Sequence, residues 1–172
     1  MPRKRLTHLD GSGKARMVDV AAKPVTARRA VASAKVLLSA PTMALLARGS
    51  LPKGEALETA RLAGIQAAKR TSDLIPLCHP LQPTHIDVAA TPEPGGIRLT
   101  ASVSGRDRTG YEMEALVGAA VAALALYDMV KAVERAAIIE SVKLEKKSGG
   151  RSGTYARGAS PPPRARISRR RP

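Results

Sequence analysis

From Ala115 to Leu126 every residue is Ala, Gly, Val or Leu. Such a stretch predicts a helix that is apolar on nearly every side and therefore buried all round. We place the helix at about Tyr111 to Ala136. Its charges are confined to the ends, with Glu112 and Glu114 at the start and Asp128, Lys131, Glu134 and Arg135 at the finish. A chain of 172 residues with one sheet can hardly cover such a helix alone, so a subunit interface is expected to share the burial. The uncharged run is too short to span a bilayer. Taken by themselves, the acids at the start complement the helix dipole. Asp128 and Lys131, three apart, read as a surface ion pair.

The other segments change period along the chain. Arg28 to Leu38 sets Ala30, Ala32, Ala34, Val36 and Leu38 on one face against Arg29, Ser33 and Lys35, a half-buried strand. Pro41 to Arg48 is a short helix, and Lys53 to Arg70 a longer one with the small stripe Leu57, Ala60, Gly64 and Ala67. Leu74 to Pro83 contains Pro76, Pro80 and Pro83 and cannot be a regular helix. Two alternating strands, Ile86–Ala90 and Ile97–Val103, flank a Pro92–Gly96 turn and form a hairpin. A last strand runs from Ile138 to Lys147, with Val142 and Leu144 inward. The expected order is strand, strand, helix, helix, strand, strand, helix, strand. That pattern indicates an α+β fold, a ferredoxin-like antiparallel sheet with helices packed on one face.

The net charge of +15 first suggests nucleic acid. Its location weakens that reading: residues 1–5 carry +3, everything from Arg151 onward +7, and the stretch between only +5. We divide the chain into a basic N-terminal extension (1–5), one domain (6–157), and a disordered Arg/Pro-rich tail (158–172). With three Tyr, no Phe and no Trp, the sheet lacks the aromatic platform on which RNA-binding domains of this outline stack bases. An RNA-binding module acting through its tails, and a nucleotide-binding subunit without turnover, are the rival readings. The single cysteine, Cys78, excludes an internal disulfide, and with His8, His79 and His85 scattered, no metal site is expected. No secretory apolar segment follows the basic start, so a cytoplasmic location without membrane attachment is expected.

Four groups can carry chemistry. His79 sits in the Pro-flanked loop Leu77-Cys78-His79-Pro80, where a restricted backbone orients the imidazole. Arg28, Lys53, Lys69 and Arg70 lie near element ends, where a phosphate-rich ligand would need cations. Lys146 to Gly153 mixes Gly, Ser and cations as an anion nest does, and a flexible linker explains it nearly as well. The charged ends of the long helix are the fourth.

Several ungapped blocks in order then carry a resemblance. They are Leu6-Thr7-His8, Met17-Val18-Asp19-Val20, Lys53-Gly54, Ala63–Thr71 followed by Asp73–Leu81, Thr109-Gly110, Glu112–Leu116, Tyr127-Asp128-Met129 with Lys131-Ala132-Val133, and Lys147–Gly150. Together they resemble the cyclic pyranopterin monophosphate synthase family of molybdenum-cofactor biosynthesis. The likeness covers roughly Leu6 to Ala156, and the Arg-rich extension lies outside it.

The resemblance implies a ferredoxin-like homohexamer, a trimer of dimers. It implies conversion of a cyclised GTP, made by an upstream radical-SAM enzyme, into cyclic pyranopterin monophosphate and pyrophosphate, without metal or organic cofactor. Carried over by position, Leu77, Cys78, His79, Met113 and Glu114 bind substrate. Asp128 is the active-site residue, and Lys53 and Lys131 are acid/base groups. Arg28, Lys69 and Glu112 are further contacts. Glu114 and Asp128 are fourteen residues apart on one helix, about 21 Å at 1.5 Å per residue. We therefore expect the active site at a dimer interface, with Asp128 and Lys131 facing His79 and Glu114 of the partner subunit. Tyr111, just before Glu112, is expected to line the site entrance.

Overall fold

The computed structural model describes residue 9 and residues 12–158. The 1–5 extension, the Leu6-Thr7-His8 block and all of the tail beyond Gly158 lie outside the described residues. Nine elements follow in order: β1 (Thr26–Leu37), α1 (Ala40–Ala47), α2 (Ala56–Lys69), α3 (Thr71–Leu74), β2 (His85–Glu93), β3 (Gly96–Asp107), α4 (Glu112–Val130), β4 (Ile138–Ser148) and β5 (Tyr155–Ala156). Every strand pairing is antiparallel and the sheet order is β2-β3-β1-β4-β5. The first four strands thus take the ferredoxin-like arrangement, with α2 and α4 against one face. Among the described residues one strand precedes α1, where the sequence suggested two; upstream there is only an isolated bridge between Leu9 and Ala15.

The period-2 pattern of β1 works as expected. Ala30, Ala32, Ala34 and Val36 are buried and face the helices, beside Ile97, Leu99, Ala101 and Val103 of the neighbouring β3. Small residues on β1 let α4 lie close to the sheet. Ser33, on the opposite face, is also buried. Its hydroxyl donates to Glu145 Oε1 at 2.6 Å, beneath the Arg98–Glu93 ion pair.

α2 and α4 cross where both have glycine. A Cβ on Gly64 would stand 2.8 Å from the Gly118 carbonyl oxygen and 3.0 Å from the Ala122 Cβ. No larger residue permits that approach. α2 begins at Ala56 rather than near Lys53, because Gly54 adopts φ +82° and turns the chain before the helix.

α4 is shorter and less completely covered than its sequence suggests. It stops at Val130, and Lys131 to Ala137 turn away. Glu134 is drawn to the start of α1, where its carboxylate accepts from the Ser39 backbone N–H and hydroxyl. That anion at a helix N-terminus holds the turn. Ala115, Ala119, Ala122, Ala123, Leu126 and Val130 are fully buried, but Leu124 is 57% exposed. By length and composition α4 is long and apolar enough to cross a membrane; here its buried face packs on the sheet and α2.

β4 departs from simple alternation. Ser141 has φ +56°, and opposite β1 the register shifts between Ser33 and Lys35. This bulge lets Ile139 and Leu144, five residues apart, both pack on the core. Val142, expected inward, is turned out by it and is 45% exposed.

Candidate functional site

Two groups of the predicted residues gather at opposite ends of α4. At its C-terminal end, Asp128 Oδ2 lies 2.7 Å from Lys53 Nζ, and Oδ1 lies 2.7 Å from Lys131 Nζ. Lys53 also donates to the Asp128 backbone carbonyl at 2.9 Å. The Gly54 turn that delays α2 is what brings Lys53 here. Hydrogen bonds from Lys131 and then Lys53 hold the Asp128 carboxyl down at about 2, and Asp128 in return raises Lys131. All three side chains are solvent-accessible.

At the N-terminal end, two cavities adjoin. One, of about 400 Å³, is walled by Val18, Val20, Ile75, Leu77, Cys78, His79, Leu81 and Met113. The other, of about 760 Å³, is ringed by Lys23, Arg28, Arg108, Lys147 and Arg151. Both share Lys23, Thr109, Gly110 and Glu112. They therefore form one basin, mostly apolar at one end and cationic at the other.

Each wall has a local cause. The three-proline loop brings Leu77, Cys78 and His79 to the basin, and His79 Nε2–H donates to the Val18 carbonyl at 2.7 Å. That bond clasps the upstream segment over the apolar end. Arg28 on β1 donates Nε to the Asp107 carbonyl at 3.0 Å and Nη2 to the Arg108 carbonyl at 3.1 Å. It thereby fixes the loop that enters α4. Lys147 on β4 pairs with Glu112 at 2.9 Å and donates to Ser152 Oγ at 2.8 Å. Gly150 faces the Arg28 guanidinium so closely that a Cβ there would overlap it.

The other candidates fall differently. Glu114 is 2% exposed and lines neither cavity; it lies behind Cys78, whose Sγ–H donates to Glu114 Oε1 at 3.8 Å. Burial lifts the Glu114 carboxyl to about 7, and burial followed by Glu114 raises the Cys78 thiol. Lys69, exposed at the end of α2, lines neither cavity. Tyr111, expected at the entrance, is fully buried with its hydroxyl against Gly105. Among the described residues no group of three His, Cys, Asp or Glu is placed to hold a metal ion.

The sequence marks Lys147 and Arg151 as members of the possible Lys146–Gly153 nest, and Lys147 also within a resemblance block, but it does not mark Lys23 or Arg108 as candidates. The signal for Lys147 was its place beside Ser148-Gly149-Gly150; for Arg108 it was the Gly-flanked loop before the long helix. Nothing in the pattern around Lys23 marks it.

Residues 17–150 match the MoaC family. The chain is 53% identical to a cyclic pyranopterin monophosphate synthase of Streptomyces griseus subsp. griseus, over 94% of this chain and 91% of that one. It is 53% identical to cyclic pyranopterin monophosphate synthase 1 of Mycobacterium tuberculosis, over 90% of this chain and 92% of the relative. With the synthase of Parvibaculum lavamentivorans it shares 52% identity, over 90% of this chain and 98% of the relative. The chain belongs to the MoaC family.

Proposed function

We propose that this MoaC-family chain is a cyclic pyranopterin monophosphate synthase, a lyase that converts 3′,8-cyclo-7,8-dihydroguanosine 5′-triphosphate into cyclic pyranopterin monophosphate and pyrophosphate. The observation that carries the reading is the basin itself. Its apolar end, closed by Leu77, Cys78, His79 and Met113, suits a purine-derived ring system. Its cationic end supplies five positive side chains for a triphosphate. The cations offset charge as the ribose-derived hydroxyl attacks the α-phosphorus and pyrophosphate leaves.

The ring rearrangement consists of opening, imine formation and reclosure, all by proton transfer. Lys53 and Lys131 exchange these protons, and Asp128 holds both ammonium groups in place. Asp128 alone raises Lys131, so a working lysine needs desolvation or added cations when the site closes.

That closure comes from a second subunit. The Lys53–Asp128–Lys131 group lies at the far end of α4 from the basin, and a substrate cannot bridge about 21 Å. Leu124 on α4 and Leu62 on α2, 57% and 65% exposed, supply apolar surface for subunit contact. We therefore assign the active site to a dimer interface within a homohexamer. Residues 6–157 form the catalytic unit, and 158–172 play no part in turnover. A cyclised GTP as substrate calls for an upstream radical-SAM GTP cyclase, and we assign the reaction to the cytoplasm as part of this reading.

The test is turnover. Purified protein is incubated with the cyclised triphosphate, and pterin and pyrophosphate are assayed beside Lys131→Ala. The reading expects both products from the parent and little from the variant. No product from a well-folded oligomer would leave a binding protein.

A further inference from the structure

Cys78 and Glu114 form a pair to which the proposed chemistry gives no step. Glu114 is 2% exposed, and its Oε2 is buried without a hydrogen-bond partner. An unpaired buried oxygen is destabilising, and glutamine or an apolar residue at this depth would avoid the burial of a carboxylate. The fold nevertheless keeps a carboxyl group directly behind the only thiol in the chain. Cys78 lines the apolar end of the basin; Glu114 does not.

We propose that Cys78 relays protons between the substrate in the basin and Glu114 behind it, so that Glu114 is a positioning and proton-holding residue that acts only through the thiol. This rests on the synthase reading. In the forward step a substrate nitrogen or hydroxyl gives its proton to Sγ as the Sγ–H proton passes to Glu114 Oε1. The carboxylate becomes a carboxylic acid and the thiol is left as a thiol. No bond from sulfur to carbon forms and no electrons are exchanged. The reverse step returns the proton when the ring recloses.

A concerted exchange fits this thiol, since burial and the neighbouring Glu114 both disfavour a thiolate. It also fits the carboxyl, whose value of about 7 lets it take up or release a proton near neutral pH. The other ionisable groups facing Glu114 are Glu112 on its own helix, Asp107 at the end of β3, and the buried Tyr111. None is a cation, so the carboxyl has no fixed counter-charge among them.

The test uses the full chain as Cys78→Ala, Cys78→Ser and Glu114→Gln, with matched thermal melts. The kcat of the Ala and Gln variants should fall by about 10²-fold, the lower range for acid–base groups, with KM nearly unchanged. Cys78→Ser should recover much of the rate, because a hydroxyl also passes a proton. Glu114→Gln should erase the limb of the kcat–pH profile near neutrality. Parental kcat and an intact limb in Cys78→Ala would overturn the relay. A second readout needs no turnover: the pH at which this single thiol becomes reactive to iodoacetamide should drop in Glu114→Gln. An unmoved inflection overturns the relay, whereas a parent protein that makes no pterin overturns the synthase reading.

Discussion

Lys53 and Asp128 are 75 residues apart in the chain, and their side chains meet at 2.7 Å. Lys131 occupies the other oxygen of the same carboxylate at the same distance. One acid thus holds two ammonium groups about a shared point. The exposure of all three rules out a large stabilising role, because solvent screens such pairs.

Asp128→Asn separates geometry from stability. The amide keeps the shape and loses the charge, so both lysines lose their anchor. Turnover should fall by about 10²- to 10⁴-fold, as for loss of a proton-transfer group. The melting temperature near neutral pH should stay close to the parent's. The Asp128 carboxyl sits at about 2, below its ordinary value. Whatever stability it adds is therefore present above about pH 4 and is lost as pH falls toward 2. The variant should lack that acid-side component, which urea melts between pH 2 and 5 would reveal.

Glu114 gives the opposite sign. Its value of about 7 lies above the ordinary 4.5, so the folded chain holds a proton that the unfolded chain has released between those values. Stability should decrease as pH rises from about 4.5 to 7 and then level off. The full effect is on the order of 3 kcal/mol, at 1.36 kcal/mol per unit. Glu114→Gln should flatten this slope and be more stable than the parent at pH 8, while turning over more slowly. Urea melts of both proteins at several pH values check it. An unchanged slope would place the titrating group elsewhere.

Gly150→Ala displaces the Arg28 guanidinium without removing any charge. Hydrogen bonds to charged groups are worth about 1.5–3 kcal/mol, so KM for the triphosphate substrate should rise roughly 10- to 100-fold. The positive φ of +71° at Gly150 adds backbone strain. Steady-state kinetics would show the effect, and a matching Arg28→Ala variant should shift KM in the same direction.

Gly64→Ala tests the crossing of α2 and α4. The added methyl group meets the Gly118 carbonyl oxygen, Ala122 and Val88 within 3.2 Å. Overpacking of this kind costs about 1–3 kcal/mol. At roughly 2–4 °C per kcal/mol, calorimetry should find a melting temperature lower by about 2–12 °C. An unchanged melting temperature would mean that the helices separate without cost.

Elements governed by local pattern were legible in the sequence. The alternation of Ala30, Ala32, Ala34 and Val36, the hairpin, and the apolar α4 all announce themselves through side-chain period. Val142 was misplaced because the β4 bulge at Ser141 arises from pairing with β1, a tertiary condition that alternation does not record. Tyr111 was misplaced for a similar reason: only the folded chain shows that Gly105 leaves room for its ring. Leu77, Cys78, His79 and Met113, which the motifs single out, line the apolar end of the basin. Lys23 reaches its cationic end through the folding of a separate segment, which no spacing in the sequence encodes. Glu112 and Glu114, two apart, point to different sides of α4, and which side of so apolar a helix lies deepest is a property of packing.

In the proposed synthase one site combines the Arg28 basin of one subunit with the Lys53–Asp128–Lys131 group of another. Co-expressing Arg28→Ala and Lys131→Ala subunits with different tags, then isolating oligomers that carry both, tests it directly. Each variant alone should make little pterin, and the mixed oligomer should regain turnover because one of its shared sites is intact. Mixed oligomers as inactive as either variant, beside a fully active parent, would contradict a shared site.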